Sequence, residues 1–299
     1  MKSLLRTGVA LVTPFNSDLS VDYESLERLV VHNVENGTDY LVISGTTGES
    51  ATISFEEKQS IVAFVAKINN GRLPLVLGIG GNNTMGVINE IKSTDLSQID
   101  AILSVSPYYS KPTQEGIYQH FKAISDSTSK PIILYNVPGR TSSNVIPETI
   151  IRLANDFDNI IGVKEAAGQM DQYYNLLKSK PEDFLVISGD DDLALKVTLS
   201  GGAGVISVIG QALTKDFSDM IRFGLNNDAR SGTQLHLKLK EITELIFSEN
   251  NPAGIKALLN RMDICADYVR LPLVPATEEL KAKIKIELKK LQSSSNTNN

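Results

Sequence analysis

Tryptophan is absent from this 299-residue chain, cysteine occurs once and histidine three times. With Cys265 as the only cysteine there is no intramolecular disulfide and no cysteine-rich zinc site, a usage that suits a reducing compartment. Basic runs are also missing, and the formal net charge is -6, which argues against nucleic acid or an anionic membrane surface as partner. A small polar ligand fits better. No apolar stretch approaches the length of a membrane span, and Met1-Lys2-Ser3-Leu4-Leu5-Arg6 turns polar too soon for a signal peptide, so the expected location is cytoplasmic. The first apolar run is followed by Val12-Thr13-Pro14-Phe15 and not by the glycine-rich phosphate fingerprint of a doubly wound sheet.

What is present is a regular alternation of short β-branched runs with longer amphipathic stretches, the pattern of strand-helix units around a parallel sheet. Strands are expected at 8–13, 40–44, 75–79, 101–106, 131–137, 160–165, 184–188 and 205–208. Helices are expected at 23–35, 55–68, 84–93, 114–126, 147–155, 172–178, 192–199 and 215–223. Eight such units indicate an α/β fold of the (β/α)8 TIM barrel type, with a doubly wound sheet as the alternative. Residues 1–228 form the expected catalytic barrel. Three further helical patterns at 229–248, 252–266 and 276–292 make a C-terminal helical region, and the polar run 293–299 reads as a frayed tail.

In such barrels the chemistry sits at the carboxyl ends of the strands, so polar groups there carry the functional argument. Lys164 ends the apolar run Ile160-Ile161-Gly162-Val163. An amine buried there is a candidate Schiff-base nucleophile, because burial disfavours the ammonium; the plainer alternative is a solvated strand end paired with Glu165. The second strand ends in Ser44-Gly45-Thr46-Thr47-Gly48-Glu49-Ser50, either a carboxylate-binding nest or an ordinary glycine-rich turn. The fourth and fifth end in Ser106-Pro107-Tyr108-Tyr109 and Tyr135-Asn136-Val137-Pro138-Gly139-Arg140-Thr141. Their tyrosines pack the barrel mouth or relay protons, and Arg140 is a surface charge or a clamp for a second carboxylate. Ser188-Gly189-Asp190-Asp191 and Gly201-Gly202-Ala203-Gly204 occupy the usual phosphate region, where two aspartates would repel a dianion. They leave a divalent metal site open, but His32, His120 and His236 all fall in helical patterns away from the strand ends, so neither metal nor cofactor is expected.

Together these motifs resemble the dihydrodipicolinate synthase family of pyruvate-dependent class I aldolases, and the match extends to Asn251-Pro252 and Arg270-Leu271-Pro272. The resemblance implies a lyase that condenses pyruvate with L-aspartate 4-semialdehyde to 4-hydroxy-tetrahydrodipicolinate, in diaminopimelate and lysine biosynthesis. It assigns the Schiff base to Lys164, proton transfer to Tyr135 with Thr46 and Tyr109, the pyruvate carboxylate to Thr46 and Thr47, and the semialdehyde to Arg140. Gly189 and Ile206 are expected to line the pocket, and Tyr109 to complete a neighbouring subunit's site in a homotetramer built from dimers, or in a homodimer. The alternatives are N-acetylneuraminate lyase, against which Thr46-Thr47 and Arg140 speak, and a non-catalytic barrel that senses a keto acid. A lysine-feedback site is implied at Ser50, Ala51, Asn82 and Tyr108. Gly86, Phe55 and Lys58 depart from the inhibited pattern, so weak or no inhibition by L-lysine is expected. Val208-Ile209-Gly210-Gln211 differs from the threonine- and asparagine-containing version that the family shows after the eighth strand, with an effect the sequence does not disclose.

Overall fold

The structure is a computed structural model and describes residues 4–296. Eight parallel strands close into a barrel in strict chain order. They are β1 (Arg6–Ala10), β2 (Tyr40–Ile43), β3 (Leu75–Gly78), β4 (Ala101–Val105), β5 (Ile132–Asn136), β6 (Ile160–Glu165), β7 (Leu185–Ser188) and β8 (Gly204–Ser207). Nearly all their residues are buried, which is why the strands read as continuous apolar runs and not as alternations.

The enclosing helices are α1 (Tyr23–Glu35), α2 (Phe55–Asn69), α3 (Thr84–Ser93), α4 (Gln114–Asp126), α5 (Pro138–Thr141), α6 (Pro147–Asp156), α7 (Met170–Ser179), α8 (Ala194–Leu199) and α9 (Thr214–Leu225). Their starts are written in the sequence. Asp22, Ser54, Asn83 and Thr113 each accept a hydrogen bond from the third backbone amide that follows, and Ser54 and Glu57 complete a capping box. One core lies inside the barrel, with Val42, Val76, Leu103, Ile133, Leu185 and Ile206 among its members. A second and larger core fills the layer between strands and helices.

β1 covers 6–10 and not 8–13: Arg6 already pairs with Gly204, whereas past Ala10 the amide of Val12 leaves the ladder for the side chain of Gln211 at 2.8 Å. The single turn α5 went unforeseen because Pro138-Gly139 reads as a break; proline here is the first residue of the turn.

The C-terminal region holds α10 (Ala229–Phe247), α11 (Ala253–Arg261) and α12 (Glu278–Asn296). α10 lies along α8 and α9, and α11 and α12 pack on it and on each other. α11 stops at Arg261 and not at 266, because the chain turns through Asp263 at φ 57°. α12 continues through Ser293 to Asn296, so a tail expected from 293 is helical up to that residue; 297–299 lie outside the described residues.

Candidate active site

A cleft of about 520 Å3 opens at the carboxyl ends of the strands, lined by Ser44, Thr46, Val105, Tyr108, Tyr135 and Arg140 among others. Lys164 on β6 is 6% exposed, with its Nζ 4.5 Å above the ring centre of Tyr135, which lines the cleft. A register shift brings it there. Ile132 pairs with Ile160 but Ile133 pairs with Gly162, so Ile161 is an extra residue on β6. Ile161 belongs to the inner core, and uninterrupted alternation from it would turn Val163 and Glu165 inward and Lys164 outward. The shift restores Lys164 to the inner face opposite Tyr135, and Glu165 to the outer face opposite Asn136.

Gly189 supplies the space beside the lysine. A methyl group at its Cα would lie 3.1 Å from Lys164 Cε and 2.7 Å from Ala166 Cβ, so glycine is required for the side chain to pass. Ile206 is fully buried in the inner core. Asp191, one residue beyond Asp190, is also inaccessible and accepts the amides of Val208 and Ile209 at 3.1 and 2.8 Å. Burial, only partly opposed by hydrogen bonds and by the positive charge of Lys164, pushes its carboxyl up to about 6. Gln211 completes this corner: its side chain binds Ala10 O, Val12 N and Val208 O, closing the seam between β8 and β1. That supplies the physical account of 209–211 that the sequence withheld.

On the outer face Glu165 is fully buried, its carboxylate held by Asn136 Nδ2, Gln172 Nε2 and the amide of Ala167 at 2.8–3.1 Å. Burial raises its carboxyl to about 7, against the lowering effect of those bonds. Asp190 lies nearby, bound by Tyr173 Oη and Gly168 N, and is raised chiefly by burial and then by the charge of Asp192.

The loop after β2 is compact. Gly48 and Glu49 amides return to the carbonyls of Gly45 and Thr46, while the amides of Thr46 and Thr47 have no hydrogen-bond partner among the described residues. Thr47 Oγ1 accepts from Asn251 Nδ2 at 2.9 Å. Glu49, in the left-handed region at φ 57°, sends its carboxylate to Lys256 Nζ at 2.5 Å and Arg270 N at 2.9 Å; the side chains of Glu49 and Lys256 are wholly inaccessible. Sequence inspection missed Lys256, and it named Glu49, Asp191 and Gln211 only as members of motifs, without the contacts they make. For Lys256 the available signal was a lysine in an otherwise apolar helical stretch four residues after the Asn251-Pro252 motif.

Thr46, Tyr135, Arg140, Ser50, Ala51 and Tyr108 thus share one cleft, with Thr47, Lys164, Gly189 and Ile206 packed behind it. Tyr109 does not join them. It is 89% exposed with φ 69° and does not line the cleft, and Asn82 is exposed with its amide on Tyr108 O. Phe55 and Lys58 line the cleft, whereas Gly86 is exposed on α3 outside it. Lys58 Nζ is bonded to the carboxylate of Glu90.

The model of the dihydrodipicolinate synthetase family matches residues 3–291. The 4-hydroxy-tetrahydrodipicolinate synthase of Flavobacterium psychrophilum is 53% identical over 97% of this chain and 99% of its own. The crystal structure of dihydrodipicolinate synthase from Thermotoga maritima superposes with a TM-score of 0.94 at 38% identity, covering 96% of this chain and 98% of that one. That of the chloride-inhibited enzyme from Acinetobacter baumannii, complexed with pyruvate, gives 0.94 at 37% identity over 97% and 99%. This chain therefore belongs to the dihydrodipicolinate synthetase family.

Proposed function

We propose that this chain is a 4-hydroxy-tetrahydrodipicolinate synthase, a lyase that condenses pyruvate with L-aspartate 4-semialdehyde through a Schiff base on Lys164. The observation that carries the assignment is the buried Lys164 amine over the ring of Tyr135, beside a cleft that also holds Thr46 and Arg140. The free amine attacks the keto carbon of pyruvate, water leaves, and the resulting imine loses a methyl proton to become an enamine. The enamine carbon then attacks the aldehyde. Tyr135 is the proton carrier for these steps, since its ring is in contact with the amine.

The pyruvate carboxylate belongs at Thr46 and Thr47, whose backbone amides have no partner among the described residues and where Thr47 Oγ1, accepting from Asn251 Nδ2, keeps its own proton to donate. A carboxylate there gains charge-assisted bonds that neutral ligands do not. Arg140, exposed on the turn α5 and lining the cleft, is the clamp for the semialdehyde carboxylate. Tyr109, exposed on its own subunit, belongs in the site of a second copy, which makes a dimer the smallest complete unit and a tetramer of two such dimers the fuller assembly. Among the described residues no helix is long and apolar enough to cross a membrane, and the cytoplasm is the proposed compartment.

A coupled assay offering pyruvate with aspartate semialdehyde, and separately N-acetylneuraminate, tests the reading. Turnover of the first pair alone is expected. Arg140→Ala is expected to raise the KM for the semialdehyde by about tenfold or more with little change in that for pyruvate, the loss of a charge-assisted bidentate contact. Cleavage of N-acetylneuraminate, or equal changes in both KM values, would contradict it.

A further inference from the structure

The inner and outer faces of the β5–β6 pair carry different chemistry in the same register. Tyr135 faces Lys164 on the inside and, one residue on, Asn136 faces Glu165 on the outside. Asn136 Nδ2 spans both carboxylate oxygens of Glu165, at 3.1 and 2.9 Å. The network does not end there. Asn136 Nδ2 also reaches Asn144 Oδ1 at 2.8 Å, and Asn136 Oδ1 accepts the amide of Val145 at 3.0 Å. Asn144 Nδ2 donates to Gln172 Oε1 at 2.8 Å, and Gln172 Nε2 returns to Glu165 Oε2 at 2.8 Å. The ring of bonds runs through β5, the 144–145 segment, α7 and β6. The segment it staples down at both ends, between Asn136 and Asn144, carries Arg140.

We propose that Glu165 is a positioning residue for both halves of the reaction. Through Asn136 it fixes the stagger of Lys164 against Tyr135, and through Asn136, Gln172 and Asn144 it fixes the turn that presents Arg140. This rests on the Schiff-base reading above. A carboxylate is required because every partner is a donor: two side-chain amides and the backbone amide of Ala167. Glutamine at 165 would offer one acceptor and one NH2. Since Asn136 Nδ2 touches both oxygen positions, either orientation sets NH2 against NH2. Asn144 lies on neither strand of the β5–β6 pair and does not touch Glu165; it meets the network through Asn136 and Gln172 at the end of the Arg140 turn, while the Asn136–Glu165 bonds do not pass through it.

The test follows two readouts on the intact enzyme, the rate of borohydride trapping of pyruvate on Lys164 and the KM for aspartate semialdehyde. Glu165→Gln is expected to slow trapping by about tenfold or more and to raise the semialdehyde KM, because small misplacements of reacting groups are costly. Glu165→Asp, which keeps an acceptor-only group, should recover part of both. Asn144→Ala should raise the semialdehyde KM while trapping stays near the wild-type rate. A purely structural role would lower the melting temperature of each variant and leave both readouts of the folded enzyme unchanged, and that result overturns the proposal. So does Asn144→Ala slowing trapping as much as it raises KM, an arm that decides the matter even if Glu165→Gln fails to fold. Absence of label on Lys164 in the wild type would instead defeat the functional reading itself.

Discussion

Lys58 shows how a single side chain bears on a question that motif matching leaves open. The resemblance ties feedback inhibition to residues around Ser50 and Tyr108, and Lys58 departs from the inhibited pattern. In the structure its ammonium is bonded to Glu90 inside the cleft, so the carboxylate that an amino-acid effector's cation would seek is already taken. An entering ammonium must displace Lys58 or stay unpaired, a cost of about 2 kcal/mol or more once desolvated. L-lysine at saturating substrates is accordingly expected to inhibit weakly or not at all, and Lys58→Ala to gain sensitivity; half-inhibition of the wild type in the sub-millimolar range would contradict this. The pairing was not legible in advance because Lys58 and Glu90 are 32 positions apart on different helices. Lys164 and Tyr135, by contrast, could be picked out directly. A lysine closing an apolar strand and a tyrosine at the end of its neighbour are anomalies that folding alone does not demand.

Among the elements, strand and helix order was legible almost throughout, since the period of hydrophobicity and the capping residues are local signals. The failures are where a distant group replaces a local partner: β1 yields its ladder to Gln211, and the extra residue Ile161 shifts β6 without any mark in its apolar run. The same holds for the loop after β2. Its shape depends on α11 and the segments on either side of it, through Asn251 on Thr47, Lys256 on Glu49 and Arg270 on Glu49 and Thr52. The C-terminal helices are thereby fastened to the proposed carboxylate nest. Lys256→Met removes one member of an ion pair with no access to water and leaves Glu49 charged and short of a partner, a destabilisation of about 3–5 kcal/mol. It is expected to lower the melting temperature and also to raise the KM for pyruvate. The double variant Glu49→Gln with Lys256→Met should regain stability but not the pyruvate KM. If the single variant binds pyruvate normally, the ion pair serves the fold alone.

At the scale of the whole molecule, a closed parallel barrel gathers strand-end residues from Ser44 to Arg140 at one end, which is why strand order alone brings them together, with Asn251 added by the C-terminal region. What strand order could not supply is depth: which groups line the cleft, which are buried, and which, as with Tyr109, are exposed and do not line it. The account as a whole depends on one bond, between the Nζ of Lys164 and the keto carbon of pyruvate. Incubation of the protein with pyruvate and borohydride, followed by peptide mass analysis, measures that bond directly. One stable adduct per chain on the peptide that contains Lys164, lost in Lys164→Ala together with most of the turnover, is the result predicted; an adduct on another lysine, or full turnover in Lys164→Ala, would contradict it.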